Sequence, residues 1–268
     1  MDIMMGLFMF FVGAITASFS LLLARRLVIK NERRKSVFRK SDLDLKGIFF
    51  GRSKCEYCGE TLGFFDLIPI ISWFILRGRC RHCHQPIGSR SPIYETLGGI
   101  LVWSFWFFYA NPWISLCSVV LVMGLVIVSE TDIETLTIPD FANVMILGSG
   151  LAYHAILPKT DVIDAIFAAL AGFTIFFVLD RLFTRIIMGR NASHYRFIIG
   201  FGDIKLFGAL SAWCGLAFFG YIPVIAAILG AFWALWNQVP RKSWIPYGAF
   251  LAMSHVILMV FVNPFFVS

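Results

Sequence analysis

Charged residues are scarce in this chain of 268 residues. Only 15% of them are Asp, Glu, Lys or Arg, whereas 59% are hydrophobic and 16% are aromatic, and the mean hydropathy is +0.79. A water-soluble globular protein of this size has a smaller share of hydrophobic residues and a larger share of charged ones. The composition therefore excludes an ordinary water-soluble protein. It predicts an all-α polytopic membrane protein.

Several long stretches lack Asp, Glu, Lys and Arg altogether. They are residues 3–24, 96–129, 141–158, 206–240 and 243–268. One membrane span takes about 20 apolar residues, so the second and fourth stretches each hold two helices and the others one. We expect the turns at Asn111-Pro112 and Gly220-Tyr221, because Pro, Asn and Gly interrupt helices. With one more span at residues 162–182, the sequence predicts about eight transmembrane helices.

Basic residues are nearly missing from one side of this topology. If the N-terminus is periplasmic, 22 of the 23 Lys and Arg residues lie in or beside cytoplasmic segments, 15 of them between residues 25 and 90. Short cytoplasmic loops carry such an excess, and no basic segment precedes the first apolar stretch, as it would in a cleaved signal peptide. The net charge of +7 is therefore mainly a topology signal. Attraction to membrane lipids is a secondary interpretation, and nucleic acid is not expected as a partner, since no nucleic-acid-binding module accompanies the charge.

The chain has only six cysteines, and four of them form two CxxC pairs. These are Cys55-Glu56-Tyr57-Cys58 and Cys80-Arg81-His82-Cys83, with 21 residues between them. Two such pairs can complete a tetrahedral site, so they predict structural zinc. The alternatives are four reduced thiols without metal, or two disulfides, which a reducing cytoplasm disfavours. We expect His82 and His84 to be bystanders and Cys117 and Cys214 to be buried as small hydrophobes.

Between the two pairs lies an apolar segment, residues 64–76, with Asp66 as its only charge. It is too short to cross a bilayer, so we expect an interfacial hairpin or the core of the zinc domain.

Two aspartates stand at the ends of apolar stretches on the same predicted face. Asp132 follows one stretch, and Asp203 ends the sequence Gly200-Phe201-Gly202-Asp203 before another. Two carboxyl groups in a confined site share a proton unequally, which suits water activation and peptide hydrolysis. The alternative is that these acids cap helices. We expect Asp140 to be such a cap and Glu134 to be exposed.

These residues resemble the bacterial type IV prepilin peptidases, an intramembrane aspartic protease family with a GxGD signature. The segments that carry the resemblance are residues 132–140, 200–206, both cysteine pairs, and the shorter elements Leu67-Ile68-Pro69, Ser91-Pro92-Ile93-Tyr94-Glu95 and Ile245-Pro246-Tyr247-Gly248. The resemblance implies that Asp132 and Asp203 are the catalytic pair. It further implies cleavage of prepilins or pseudopilins after a glycine at the cytoplasmic face of the inner membrane, and N-methylation of the new N-terminus with S-adenosylmethionine.

The predicted organisation has three parts. Residues 1–24 form the first transmembrane helix, residues 25–92 a cytoplasmic zinc-binding domain that is also a candidate methyltransferase part, and residues 93–268 the peptidase domain. No residues are assigned to S-adenosylmethionine, because the chain lacks a glycine-rich dinucleotide-like loop; Glu95 is a candidate for methyl transfer, or serves helix-start electrostatics. The other hypotheses are a peptidase without methyl transfer, a non-enzymatic assembly factor, and a transporter or channel.

Overall fold

Nine α-helices follow one another in a computed structural model that describes residues 3–32, 51–157, 161–188, 200–238 and 245–267. They are α1 (Ile3–Glu32), α2 (Ile71–Ile75), α3 (Arg90–Tyr109), α4 (Pro112–Thr135), α5 (Asp140–Ile156), α6 (Val162–Met188), α7 (Phe201–Phe218), α8 (Tyr221–Trp236) and α9 (Tyr247–Val267). A short 3-10 turn, Phe64–Leu67, precedes α2. The predicted helical class is confirmed for the residues that the structure describes.

Four of these helices are long and apolar enough to cross a membrane by themselves. The candidate spans are Ile3–Val28, Pro112–Thr135, Val162–Ile186 and Phe201–Phe218. Helices also end and begin at both expected turns; at the first, Asn111 Oδ1 accepts a hydrogen bond of 2.9 Å from the backbone N–H of Trp113. The chain is thus a helical membrane protein, whereas the total of eight spans stays a prediction. Many basic residues behind the orientation lie in residues 33–50, 189–199 and 239–244, outside the described residues.

Small residues bring α1 close to α3. A Cβ atom added at Gly13 would lie 2.9 Å from Val102 Cγ2, and one added at Gly98 would lie 2.8 Å from Ala17 Cβ. Close backbone approach at small residues is the usual way in which helices associate within lipid. α1 also packs against α4, so the first helix is fixed to the helix that carries Asp132.

An aromatic cluster holds the middle of the bundle. The rings of Tyr153 and Trp213 stack with centroids 5.0 Å apart, and Phe105 meets both edge-on. Cys117 and Cys214 are buried nearby in the same apolar core, as the sequence predicted. Because these aromatic residues come from α3, α5 and α7, their packing fixes the relative positions of the helices around the two aspartates.

α7 is broken at Gly215. This residue has φ +65° and ψ 177°, a conformation that is almost restricted to glycine. The backbone N–H of Leu216, which the break releases from helical bonding, donates a 3.1 Å hydrogen bond to Asp164 Oδ2 on α6. The bend in α7 is therefore stabilised by a side chain of its neighbour.

The segment between the cysteine pairs exposes its apolar side chains. Phe64, Phe65, Phe74 and Ile75 are each between 65% and 78% exposed. The prediction that this segment forms a zinc-domain core is wrong for these residues, because the two cysteine turns fold on themselves and leave the segment outside them. The interfacial alternative agrees with the exposure.

Candidate active site and metal centre

Asp132 lies in the last turn of α4 and is 4% exposed. Its Oδ2 atom accepts a 3.0 Å hydrogen bond from the backbone N–H of Ala249 on α9. The helix ends shortly afterwards, where Leu136 adopts a left-handed conformation with φ 53°. The chain therefore leaves α4 just beyond the carboxylate, and a backbone donor from a distant helix fixes the orientation of that carboxylate.

Asp203 lies in the first turn of α7, three residues after Gly200. The carboxylate lies close to the Gly200 backbone, since a Cβ atom at Gly200 would lie 2.8 Å from Asp203 Oδ2. The other oxygen, Oδ1, is buried without a hydrogen-bond partner among the described residues. Gly200 occupies the cap position of α7 and no side-chain capping bond forms there, so the capping alternative is wrong for Asp203, and its Oδ1 atom remains free for chemistry.

The two carboxylates converge on Gly248, at the start of α9. A Cβ atom placed on Gly248 would lie 3.0 Å from Asp132 Oδ2 and 3.1 Å from Asp203 Oδ1. Because both oxygens lie so near one point, they are within about 6 Å of each other. The sequence marked Gly248 only as part of a family element, and the structure shows that its missing side chain leaves the space between the acids open.

Neither of the neighbouring acids joins this pair. The Asp140 side chain is 74% exposed, and its Oδ1 atom forms an ion pair with Lys205 Nζ at 2.8 Å. The expectation that Asp140 caps α5 is wrong, since Pro139 occupies the cap position and no side-chain capping bond forms. Glu134 is partly exposed and pairs with Arg90.

The four cysteines of the CxxC pairs come together, as the spacing predicted. Their sulfur atoms all lie within 4.8 Å of one another, and Cys55 Sγ and Cys83 Sγ are 3.9 Å apart. A tetrahedral zinc ion with Zn–S bonds of about 2.3 Å requires sulfurs roughly 3.8 Å apart. The cluster therefore fits a tetrahedral metal ion, and no histidine belongs to it among the described residues.

The two cysteine turns have the same backbone design. The N–H of Gly59 donates to Cys55 O at 3.0 Å, and the N–H of His84 donates to Cys80 O at 3.1 Å. Gly59 and His84 both have positive φ, 73° and 56°. His84 is thus the turn residue that corresponds to Gly59, which explains its presence beside the cluster without a role as a ligand.

The sulfurs differ in acidity before any metal is considered. Backbone N–H groups of Cys83 and His82 donate to Cys80 and lower its pKa to about 6. The Gln85 N–H acts in the same direction on Cys83, but burial and the neighbouring thiols raise the pKa of Cys83 to about 11. Four thiols at this distance do not ionise together without a cation, and a divalent metal would deprotonate them.

Two matches with known protein families cover most of the chain. Residues 11–109 match the Bacterial Peptidase A24 N-terminal domain, and residues 119–235 match the Type IV leader peptidase family. A prepilin leader peptidase/N-methyltransferase of Burkholderia pseudomallei is 32% identical over 219 residues, which are 80% of this chain and 69% of that protein.

The chain belongs to the type IV leader peptidase family. Prepilin leader peptidase/N-methyltransferases of Aeromonas hydrophila and Pectobacterium carotovorum are 30% and 27% identical, over 78% and 92% of this chain and 71% and 90% of their own lengths. No solved structure matched the chain significantly.

This member of the leader peptidase family has a buried glutamate two residues before Asp132 that the sequence did not single out. Glu130 is 1% exposed, and its Oε1 lies 3.1 Å from Arg25 Nε and 3.6 Å from Arg90 Nη1. The sequence feature that could have indicated it is its position directly after the charge-free stretch 96–129. A carboxylate so deeply buried requires its cations, because an unpaired charge there would cost several kcal/mol.

Glu95 is the second buried glutamate, at 4% exposure. It accepts hydrogen bonds from Ser18 Oγ at 2.7 Å, from Ser91 Oγ at 2.8 Å and from the backbone N–H of Ile70 at 2.6 Å. It lies in the second turn of α3 and joins α1, α3 and the segment before α2. These contacts give Glu95 a role beyond helix-start electrostatics.

Proposed function

We propose that this protein is a membrane aspartic endopeptidase that removes the leader peptide of type IV prepilins or pseudopilins after a glycine and then N-methylates the new N-terminus. The observation that carries the peptidase assignment is the convergence of Asp132 Oδ2 and Asp203 Oδ1 on the open space at Gly248. The relatives are named for both activities, which supports the same assignment here.

The two acids take unequal roles in the hydrolysis. Asp132, oriented by the Ala249 N–H, accepts a proton from a water molecule as that water attacks the scissile carbonyl carbon. Asp203, whose Oδ1 has no hydrogen-bond partner among the described residues, donates a proton toward the carbonyl oxygen. The leaving amine then takes a proton from the pair as the C–N bond breaks. Such general acid–base steps each contribute about 10²–10⁴-fold to the rate.

The position of the pair suits a membrane-embedded substrate. Both acids lie at helix ends, Asp132 where α4 finishes and Asp203 where α7 begins. We assign this end of the bundle to the cytoplasmic face of the bacterial inner membrane, because the basic residues predict it. A precursor with a cytoplasmic leader and a following apolar helix would present its scissile bond at this depth.

Two cofactors accompany this function. The four clustered cysteines would hold one structural zinc ion, which would fix the two cysteine turns to each other. S-adenosylmethionine would supply the methyl group for the new N-terminus.

The test compares aspartate variants of the full chain in cleavage of a purified prepilin. Asp132→Asn and Asp203→Asn should each lower cleavage at least about 100-fold, because each removes an acid–base group. Asp140→Asn is the matched control, since Asp140 pairs with Lys205 at the surface, and should cleave at the parent rate. The precursor and product are separated by mass, and protein levels are compared after purification. Full activity in both Asp132→Asn and Asp203→Asn would overturn the mechanism.

A further inference from the structure

A cavity of about 700 Å³ opens between the cysteine segment and the adjoining ends of α1, α3 and α4. Its wall includes Arg25, Tyr57, Trp73, Gly88, Glu95 and Glu130, and neither Asp132 nor Asp203 lines it. We propose that this cavity is the binding site for S-adenosylmethionine, an inference that rests on the methyltransferase part of the proposed function. Ligand pockets for molecules of this size usually measure about 300–1,000 Å³.

The charges of the wall match those of the cofactor. S-adenosylmethionine carries a carboxylate and two positive centres, its ammonium and its sulfonium. The cavity supplies both signs, with Arg25 and Arg90 beside Glu95 and Glu130. Glu130 Oε2 is buried and has no hydrogen-bond partner among the described residues. Since the carboxylates of Glu95 and Glu130 both line the wall, they would attract a cationic group of a ligand in this cavity.

The aromatic side chains of the wall suit the remaining part of the cofactor. Tyr57 and Trp73 both line the cavity, and Tyr57 is 62% exposed, so its ring is accessible. A purine gains about 1–3 kcal/mol from each aromatic ring on which it stacks. One cavity thus offers apolar ring surface for a nucleoside and paired charges for an amino acid, which are the two halves of S-adenosylmethionine.

The cavity lies beside the peptidase pair without sharing it. Glu130 and Asp132 are two residues apart on α4, and side chains at that spacing point about 200° apart around a helix. The two sites therefore occupy opposite sides of one helical turn, close to the end of α4. An N-terminus freed at the aspartates would reach the cavity by passing around that end.

Gly88 allows the cavity to be filled without strain. A Cβ atom at Gly88 would meet nothing within 4 Å, and the same holds at Gly148 on α5, away from the cavity. Because Gly88 lines the cavity, Gly88→Trp should add a large side chain at its wall, while Gly148→Trp is the matched control. Equilibrium dialysis of detergent-purified full chain with tritiated S-adenosylmethionine would measure affinity. Prepilin cleavage and methylation are followed by mass in the same preparations.

We expect Gly88→Trp to weaken binding at least about tenfold and to abolish methylation while cleavage continues, because the added ring competes for the ligand's volume. Gly148→Trp should match the parent. In a second comparison, Tyr57→Ala should weaken binding about fivefold or more, whereas Tyr57→Phe, which keeps the ring, should retain the parent affinity.

Two outcomes would overturn the inference, and they are distinguishable. If the parent binds and transfers methyl groups and Gly88→Trp does both equally well, the cavity is not the site, although the proposed function stands. If the parent cleaves precursor yet neither binds S-adenosylmethionine nor adds a methyl group, the methyltransferase part of the proposed function fails together with the cavity assignment.

Discussion

A single methyl group at Gly248 should disable the peptidase while leaving the fold intact. In Gly248→Ala the new Cβ would lie 3.0 Å from Asp132 Oδ2, 3.1 Å from Asp203 Oδ1 and 2.7 Å from Ile138 Cδ1. Carbon atoms pack best at about 3.5–4.0 Å. The side chains around the methyl group must therefore move apart by roughly 1 Å, and the methyl group would occupy the space that we assign to the attacking water.

The expected loss of cleavage is about 100-fold or more, because a misplacement of about 1 Å in an active site has effects of that size. The free energy of unfolding should change far less. Overpacking of this kind costs about 1–3 kcal/mol, and replacing a glycine in a helix by alanine returns about 0.5–1 kcal/mol. Activity and stability should thus separate clearly.

The assay is the initial rate of prepilin cleavage by purified protein, with thermal unfolding measured in the same detergent. Gly148→Ala is the control, because its Cβ would meet nothing within 4 Å. Ile138→Val removes the Cδ1 atom nearest the new methyl group, so adding it to Gly248→Ala should recover part of the rate, since the oxygens remain crowded. Parent-like cleavage by Gly248→Ala would refute the assignment of this space to the reaction.

The metal cluster and the bend in α7 each give a further prediction. Purified protein should contain about one zinc ion per chain by elemental analysis, and Cys80→Ser should lose it while Cys117→Ser, which changes a buried core thiol, keeps it; a metal-free parent that stays folded would contradict this. Gly215→Ala should lower the free energy of unfolding by about 1–3 kcal/mol, because alanine disfavours the conformation that Gly215 adopts. Asp164→Ala should also destabilise the protein, since it leaves the Leu216 N–H without its acceptor, and unchanged melting temperatures in both variants would show that the bend carries no strain.

The metal cluster was predictable because its ligands are close in sequence. Cys55 and Cys58 share one tight turn, as do Cys80 and Cys83, and only the meeting of the two turns required the fold. The equivalence of His84 and Gly59 was not predictable, because it depends on backbone conformation at positions where the two residue types differ.

The failed prediction for Asp140 has a similar origin. An acid after Ile138-Pro139 resembles a helix cap by local sequence, and capping is a local interaction. Its carboxylate instead pairs with Lys205, 65 residues later. Glu130 was overlooked for the converse reason, since nothing in its neighbours along the chain reveals the arginines from α1 and α3 that surround it.

The sequence by itself determined the helical membrane class, the two expected turns, the four clustered cysteines and the two aspartates at the ends of apolar stretches. These properties follow from hydropathy, helix interruption and ligand spacing, which act over a few neighbouring residues. Only the tertiary structure placed Gly248 between the aspartates, brought the Ala249 N–H to Asp132, and formed the cavity that Glu130 lines. Those arrangements bring together residues more than 100 positions apart, as in the Asp132–Ala249 hydrogen bond, and such contacts depend on how whole helices pack rather than on any local pattern.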